Sequence, residues 1–299
     1  MIIGLKIDVD TERGTKIGVP NLVALLKELK IPATFLFSLG TDNTGRAIQR
    51  VFRRGFLRKV NRTSVIRTYG VRTLLNGVVL PGPHIGQRHE GIMREVYQQG
   101  FEVGIHSYNH QKWQDGVVRM SKEQITHEFT LAFQEFQRVF GMRAHTAGAP
   151  GWQANVRTLA VYDEFNLTYA SDSRGTCPFF PKVLNQVFKT LQLPTTLPTL
   201  DELIGLPELP LNKMTDYYLA LLKTDVPNIM TVHAELEGMR YREWFSEFLR
   251  ALKQRQADFQ PLLAIAESYL SKRAQIPVCE LVNAEVPGRA GVLAMQKSI

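Results

Sequence analysis

Short apolar segments alternate with longer amphipathic segments along most of the chain. The short segments are rich in β-branched and aromatic residues, a composition that predicts buried strands. The clearest of them are residues 2–7, 33–38, 101–105 and 228–232.

The amphipathic segments carry the signals that begin and end helices. Pro20 lies in the first turn of a helix predicted over residues 19–29. Ser121 and Gln124 form the capping box of a longer helix that Gly141 closes. Further strand–helix units are predicted at 143–165, 167–171, 188–224, 228–254 and 259–273. This repeated alternation predicts an α/β fold, either a parallel-stranded barrel or a doubly wound sheet, with the active site at the C-terminal ends of the strands.

Two pairs of polar residues follow predicted strands that lie about a hundred residues apart. Asp8 and Asp10 end the first strand on the same face, because they are two residues apart. His106 and His110 follow the strand at 101–105, and their spacing lets both imidazoles reach one point if the segment turns helically. One carboxylate with two imidazoles suits a divalent metal such as zinc, and the second aspartate would act beside it as a general base. Each pair also has an ordinary interpretation, as a turn cap or as unrelated histidines, but their common position favours a site.

Other polar and aromatic residues lie near the same predicted edge. His233 ends the strand at 228–232 and is a candidate general acid. Asp172 and Arg174 follow the strand at 167–171 and would orient or tune the catalytic groups, although a surface salt bridge is the alternative. Trp113 and Trp152 are candidates for stacking on a sugar ring, with burial in the core as the alternative.

Composition narrows the class of protein. The chain has 299 residues, 44% hydrophobic and 21% charged, which is typical of a soluble globular enzyme and long enough for one α/β barrel. No apolar run approaches the roughly 18 residues that span a membrane, and the N-terminus has no signal-peptide pattern. Cys177 and Cys279 have no nearby cysteine partner, which fits a reducing compartment. These features predict a cytoplasmic protein.

The net charge of +8 is concentrated in one segment. Residues 43–89 contain ten Arg or Lys and no Asp or Glu, and apolar residues alternate with the cations at near-helical spacing. A basic amphipathic insertion over 44–88 is therefore predicted to lie on an anionic membrane surface. The alternative is an ordinary solvated face, and binding to nucleic acid is not expected. The cations assigned to membrane contact are Arg50, Arg53, Arg54 and Arg58.

The chain resembles the polysaccharide deacetylase (NodB-homology) superfamily. The resemblance rests on the segments IDVDTERGT (7–15), SLGTDNTGR (38–46), GIHSYNHQKWQ (104–114), SDSRG (171–175), LPTTLPTLDELIG (193–205) and VHAELEG (232–238). It implies a distorted (β/α) barrel over 1–273 that contains the basic insertion, and it leaves 274–299 as a C-terminal tail.

The resemblance also implies a role for each residue of the site. Asp10, His106 and His110 would bind the metal, and Asp8 would be the base. His233 would protonate the leaving amine, with Asp172 tuning it. Asp201 and Glu235 join the tryptophans as substrate-binding candidates.

Two departures from the superfamily pattern leave questions open. Val9 separates two aspartates that are usually adjacent, so the roles of Asp8 and Asp10 could be exchanged. The usual Arg-x-Pro motif is replaced by a segment ending at Pro150, so Arg174 is a hypothetical substitute for the arginine that normally steadies the base.

The implied activity is removal of formate from a formylated amino sugar on a polyprenyl phosphate, at the cytoplasmic face of the inner membrane. That reaction would contribute to lipid A modification and to polymyxin resistance. Zinc is the expected metal, with cobalt, manganese and nickel as alternatives. Two other interpretations compete with this one. The first is a related deacetylase of polysaccharide or peptidoglycan, or a soluble amidase. The second is a non-enzymatic protein that binds a membrane or nucleic acid.

Overall fold

A computed structural model of the chain describes residues 1–46, 73, 75–289 and 291–298. Its strands are β1 (Ile2–Val9), β2 (Thr34–Ser38), β3 (Glu102–Ser107), β4 (Thr146–Ala147), β5 (Tyr169–Ala170), β6 (Phe180–Val183), β7 (Gln186–Val187), β8 (Leu191–Gln192), β9 (Asn228–His233), β10 (Asp258–Gln260), β11 (Val278–Glu285) and β12 (Val292–Lys297). Its α-helices are α1 (Val19–Leu29), α2 (Ile85–Arg88), α3 (Glu90–Gln98), α4 (His110–Gly116), α5 (Lys122–Phe140), α6 (Val156–Glu164), α7 (Leu200–Leu203), α8 (Leu211–Leu221), α9 (Arg242–Gln254) and α10 (Leu262–Leu270).

The larger sheet has eight parallel strands and curls into a distorted barrel. Its order is β10-β1-β2-β3-β4-β5-β8, and β9 also pairs with β1. Beyond β8, the Thr196 backbone N–H donates to the Ile229 carbonyl of β9 at 3.0 Å, so the two ends of the sheet meet. The α/β fold predicted from the alternating pattern is confirmed.

The register of β1 brings the ends of three strands to the same level. Asp8 lies opposite Leu36 of β2 and opposite His233 of β9. In a parallel sheet this means that the residues following β1, β2 and β9 emerge at one edge. The candidate catalytic side chains lie at this edge.

Apolar side chains on the helices cover the outside of the curled sheet. The buried side chains include Leu22 and Leu26 of α1 and Phe129 and Phe136 of α5, each four or seven residues apart on one helix face. The α5 helix begins with the predicted capping box at Ser121 and Gln124 and ends at Gly141, which has a φ of 70°. A positive φ of this kind favours glycine, which explains why the helix stops there.

A second, smaller sheet forms from segments far apart in the sequence. Its order is β12-β11-β6-β7, so the last part of the chain pairs with the β6–β7 hairpin. The Arg174 backbone N–H also donates to the Ala294 carbonyl of β12 at 2.9 Å. The strands β11 and β12 therefore pack against the barrel, while the division into a domain over 1–273 and a tail over 274–299 stays a prediction.

Most of the basic insertion lies outside the described residues. This includes the four predicted membrane-contact residues, Arg50, Arg53, Arg54 and Arg58. On the described side, Asp42 binds the Thr44 hydroxyl at 2.6 Å and Asn76 at 3.3 Å, which joins the two flanks of the insertion. Within the described part of the chain, no helix combines the length and the apolar character that crossing a membrane requires.

Candidate active site

Asp10, His106 and His110 meet at the edge of the sheet. The Asp10 Oδ1 atom lies 3.2 Å from His106 Nε2 and 3.4 Å from His110 Nε2. Among the described residues, these three form the one cluster of His, Cys, Asp and Glu side chains with the mutual distances of a metal site. The structure thus brings together the three predicted metal ligands.

The two histidines are delivered by different elements. His106 lies in β3, whereas His110 is the first residue of α4. Asn109 begins that helix by accepting a hydrogen bond from the Lys112 N–H at 3.0 Å. The two imidazoles are therefore brought together by the end of a strand and the start of the following helix, rather than by one helical turn that contains both.

The hydrogen bonds and charges of the cluster favour binding of a cation. His106 Nδ1 donates to the Gly148 carbonyl at 2.7 Å, and this hydrogen bond orients the ring so that Nε2 points toward the cluster. Burial by itself raises the pKa of Asp10, but the two imidazoles outweigh it and hold that pKa well below its usual range. Asp10 is therefore a carboxylate, which is the form that binds metals.

The donor set fits a divalent ion of zinc type. Asp10 Oδ1 is buried and accepts no hydrogen bond from any described residue. The separations of 3.2 and 3.4 Å between donor atoms match the edge of a tetrahedron whose metal–ligand bonds are about 2.0–2.1 Å. Three protein ligands would leave a position open for water or substrate, as in catalytic rather than structural zinc sites.

Asp8 lies beside this cluster but outside it. Its Oδ2 atom is 3.2 Å from the Nζ of Lys6, a residue that is completely buried. Its Oδ1 atom is buried without a hydrogen-bond donor among the described residues, 3.9 Å from His106 Nδ1. One oxygen is thus held by a cation while the other remains available to accept a proton.

His233 faces Asp201 across the site. The distance from His233 Nδ1 to Asp201 Oδ1 is 3.8 Å. Burial lowers the pKa of His233, but four carboxylates, led by Asp201, outweigh that effect and raise it to about 9. The imidazole is therefore protonated at neutral pH and can donate a proton.

Glu235 holds the chain that carries Asp10. Its Oε1 atom accepts hydrogen bonds from the Asp10 and Thr11 backbone N–H groups and from the Thr11 hydroxyl, at 3.2, 2.9 and 2.7 Å. Burial and the negative charge of Asp10 raise the pKa of Glu235 to about 7. Glu235 is almost completely buried and supports the backbone at Asp10, while its predicted contact with substrate stays a prediction.

Asp172 lies in a buried hydrogen-bonded network. Its carboxylate accepts hydrogen bonds from the Ala149 N–H at 2.6 Å and from Gln192 at 3.1 Å. Burial raises the pKa of Asp172 to about 6 despite these hydrogen bonds. Among the groups that shift the pKa of His233, it is Asp201 rather than Asp172 that has the largest electrostatic effect.

Arg174 pairs with Glu202 at 2.5 Å and donates to the Leu197 carbonyl at 3.0 Å. The cation at Asp8 is Lys6, so the structure does not bring Arg174 to the base. In the described part of the chain Lys6, and not Arg174, is the cation in contact with Asp8, while the role predicted for Arg174 stays a prediction.

Both candidate tryptophans are buried. Trp113 is 3% exposed and donates to the Gln153 carbonyl, and Trp152 is 2% exposed and donates to Thr195. The Trp152 ring also lies against cations of Lys6, Arg174 and Arg289, with centroid distances of 5.3, 5.2 and 4.3 Å. This placement corresponds to the core alternative, in which Trp152 packs beneath the catalytic residues.

The family model for polysaccharide deacetylases matches residues 10–170. Two curated proteins also resemble the chain over nearly its whole length, at 33% identity. The chain belongs to the polysaccharide deacetylase family. It is accordingly a hydrolase that acts on amides, and the resemblance noted in the sequence is confirmed.

The two curated relatives have the same name, probable 4-deoxy-4-formamido-L-arabinose-phosphoundecaprenol deformylase ArnD. The relative from Shewanella sediminis aligns over 99% of this chain and 95% of its own length. The relative from Wigglesworthia glossinidia brevipalpis aligns over 96% of this chain and 99% of its own length.

Solved structures of low sequence identity share the fold. A putative polysaccharide deacetylase from Mycobacterium smegmatis has a TM-score of 0.66 at 16% identity and covers 95% of this chain and 94% of its own. The Puue allantoinase has a TM-score of 0.60 at 15% identity, with 90% of each chain covered. These structures support the distorted barrel of this chain.

Sequence reasoning missed two cations near the site and the partner of His233. Lys6 was a detectable signal, because a charged residue stands two positions before Asp8 within an otherwise apolar strand. Arg289 lies in the weakly matched C-terminal part, and no local pattern connects it with the site. The structure places Asp201 beside His233, and its predicted contact with substrate stays a prediction.

Proposed function

We propose that this protein removes formate from a 4-formamido sugar that is linked to a polyprenyl phosphate. The observation that carries this proposal is the 33% identity to two proteins named for that reaction, over at least 95% of this chain and of each relative. The arrangement of Asp10, His106 and His110, with a free carboxylate oxygen on Asp8, supports it. The biological setting that we propose is lipid A modification and resistance to polymyxin and other cationic antimicrobial peptides.

Asp10, His106 and His110 would hold the divalent ion, with zinc as the proposed metal. When bound, such an ion supplies Lewis-acid polarisation of the amide carbonyl and makes water more acidic. The hydrogen bond from His106 Nδ1 to the Gly148 carbonyl orients one of these three side chains toward the others.

Asp8 and His233 divide the proton transfers between them. Asp8 Oδ1, which has no competing donor among the described residues, accepts a proton from the attacking water as the C–O bond forms. His233 is protonated at neutral pH and gives its proton to the departing nitrogen as the C–N bond breaks. The formamide and one water thus become formate and a free amine, and the sugar remains on its lipid carrier.

We further propose that the protein works peripherally at the cytoplasmic face of the inner membrane. Residues 43–89 contain ten Arg or Lys and no Asp or Glu, a charge distribution that favours binding to an anionic lipid surface. Flotation with anionic and with neutral liposomes would test this proposal, using the variant in which Arg50, Arg53, Arg54 and Arg58 are changed to Glu. Equal binding of the variant and the wild type to anionic vesicles would contradict it.

The decisive experiment is incubation with a polyprenyl-phosphate-linked 4-formamido sugar and detection of formate by mass spectrometry. Wild-type protein should release formate, and His106→Ala should not. Release of acetate from an N-acetylated oligosaccharide, with no formate from the lipid-linked sugar, would contradict the proposal and favour a polysaccharide deacetylase.

A further inference from the structure

Asp201, the partner of His233, is held from its far side by a residue of the C-terminal segment. Arg289 Nη2 donates to Asp201 Oδ2 at 3.0 Å. The other oxygen, Asp201 Oδ1, accepts a hydrogen bond from the Thr199 hydroxyl at 2.5 Å and faces His233 Nδ1 at 3.8 Å. The carboxylate is therefore fixed at both oxygens, and its orientation toward His233 depends on these contacts.

The Arg289 side chain is itself held by several groups. Its Nε donates to Glu202 Oε1 at 2.7 Å, and its guanidinium lies 4.3 Å from the centroid of the Trp152 ring. Glu202 in turn accepts from Arg174, so one buried carboxylate joins both arginines. A planar guanidinium that binds two carboxylates through different nitrogens fixes direction as well as charge.

The backbone next to Arg289 packs closely against α7, and this contact fixes the position of Arg289. Gly288 has a φ of 85°, and a Cβ atom there would lie 2.6 Å from the Glu202 carbonyl oxygen. Both observations require glycine at 288. The turn that carries Arg289 is therefore seated on the helix that carries Asp201 and Glu202.

We propose that Arg289 is a positioning residue for the hydrolytic reaction, which acts by holding Asp201 toward His233. The C-terminal segment beyond residue 273 thereby completes the site rather than serving as a separate tail. This inference rests on the proposed function only for the choice of substrate. Arg289 acts through Asp201 and has no direct part in the proton transfers.

A kinetic double-mutant cycle distinguishes this role from a general structural one. Arg289→Ala should lower kcat by about tenfold, within the range of coupling between contacting charged residues, and change KM by less than about twofold. Because Arg289 acts through Asp201, the double variant with Asp201→Asn should be no more than about twofold slower than Asp201→Asn alone. Arg289→Lys should recover part of the rate, since it keeps a donor and the charge. If kcat of the double variant instead falls by the product of the two single losses, the two residues act independently and the proposal is overturned.

The matched control is Arg273→Ala. Arg273 lies in the same C-terminal region and stacks on Phe180 at 4.1 Å, away from the catalytic side chains. Its removal should leave kcat unchanged. If Arg289→Ala does not fold, Arg289→Gln and Arg289→Lys provide the same comparison, and thermal melting of each variant identifies a loss of folding.

A measurement without substrate separates failure of this inference from failure of the proposed function. The imidazole NMR signals of His233 should move in the same direction in Arg289→Ala as in Asp201→Asn, and should not move in Arg273→Ala. Unchanged His233 signals in Arg289→Ala would overturn the positioning role. Absence of formate release by the wild type would instead reject the proposed substrate, and the NMR comparison would still decide the role of Arg289.

Discussion

Lys6 Nζ lies 3.2 Å from Asp8 Oδ2 within the apolar interior of the barrel. Lys6 has no exposed surface, and its ammonium also donates to the Ser171 carbonyl at 3.1 Å and lies over the Trp152 ring. A charge this deeply buried requires a partner, because desolvation of an unpaired ion costs several kcal/mol. Lys6 and Asp8 are therefore each placed beside a partner of opposite charge within a large hydrophobic core.

The Lys6–Asp8 pair predicts non-additive effects on stability. Lys6→Met should lower the free energy of unfolding by roughly 3–5 kcal/mol, because it leaves the Asp8 carboxylate buried without a cation. Lys6→Met combined with Asp8→Asn should lose less than Lys6→Met alone, since the uncompensated charge is then gone. Urea unfolding monitored by circular dichroism measures both. A double variant that is less stable than Lys6→Met would contradict the pairing.

Lys6 should also matter for catalysis. Lys6→Met should reduce kcat, because Asp8 Oδ2 loses the contact that directs Oδ1 toward the site. Arg174→Ala should have a smaller effect on the base, since Arg174 contacts Glu202 rather than Asp8. The comparison is made at a temperature where both variants are folded. A larger loss in Arg174→Ala than in Lys6→Met would favour the role suggested by sequence.

Removal of either histidine of the cluster should abolish metal binding. His106→Ala and His110→Ala should lose the bound ion and the activity but keep the fold, because both ligands lie at the edge of the sheet and not in its core. The control is His127→Ala, which changes an exposed histidine on α5. Elemental analysis of the purified proteins gives the metal content. Stoichiometric metal in both cluster variants would contradict the assignment.

The pH dependence of kcat should report His233. Its pKa is raised to about 9 in the folded protein, so the acid is protonated below that pH and the rate should fall as the pH rises through about 9. Asp201→Asn removes the carboxylate with the largest raising effect, so the pKa should decrease and the alkaline limb should move to lower pH. His233→Ala should eliminate this limb.

The matched control for this pH profile is Asp216→Asn, at an exposed position on α8. It removes one carboxylate charge but lies outside the group of charges that raise the pKa of His233. The alkaline limb should therefore stay in place. An unchanged limb in Asp201→Asn as well would show that another group is the acid.

Local pattern was sufficient to predict the elements that position the metal cluster. The apolar strand before Asp8, the capping box at Ser121 and the strand before His233 all lie at the positions that the sequence indicated. These signals are local, because periodicity and capping depend on residues within a few positions of each other. The polar side chains at the ends of such strands can therefore be grouped into one site by sequence pattern alone.

The elements that were missed depend on contacts between distant segments. The strand β11 has a single buried residue, Cys279, and no continuous apolar run, and it pairs with β6, about a hundred residues earlier. Arg174 was a hypothetical substitute for the arginine missing from the Arg-x-Pro motif, but packing places it against Glu202. Arg289 could not be connected with Asp201 from the sequence, because no periodicity relates residues so far apart.

The last prediction concerns the backbone contact beneath His233. Gly18 has helical dihedral angles, so alanine is favoured there by backbone preference alone. However, a Cβ atom at Gly18 would lie 2.0 Å from the carbonyl oxygen of Ala234 and 2.7 Å from its carbonyl carbon. These are backbone atoms directly after His233, and they cannot move away as a flexible side chain would. The steric cost of an alanine side chain at position 18 should therefore outweigh the gain from its higher helix propensity.

Gly18→Ala should destabilise the protein by about 1–3 kcal/mol, as overpacked interiors do, and should lower kcat because residue 234 must shift. Gly91→Ala is the matched control, since it lies within α3 with no atom within 4 Å of the added Cβ. It should stabilise the protein by roughly 0.5–1 kcal/mol through helix preference. Thermal or urea unfolding of the two variants measures the difference. Equal stabilisation by both substitutions would show that the segments at Gly18 and Ala234 are not in close contact.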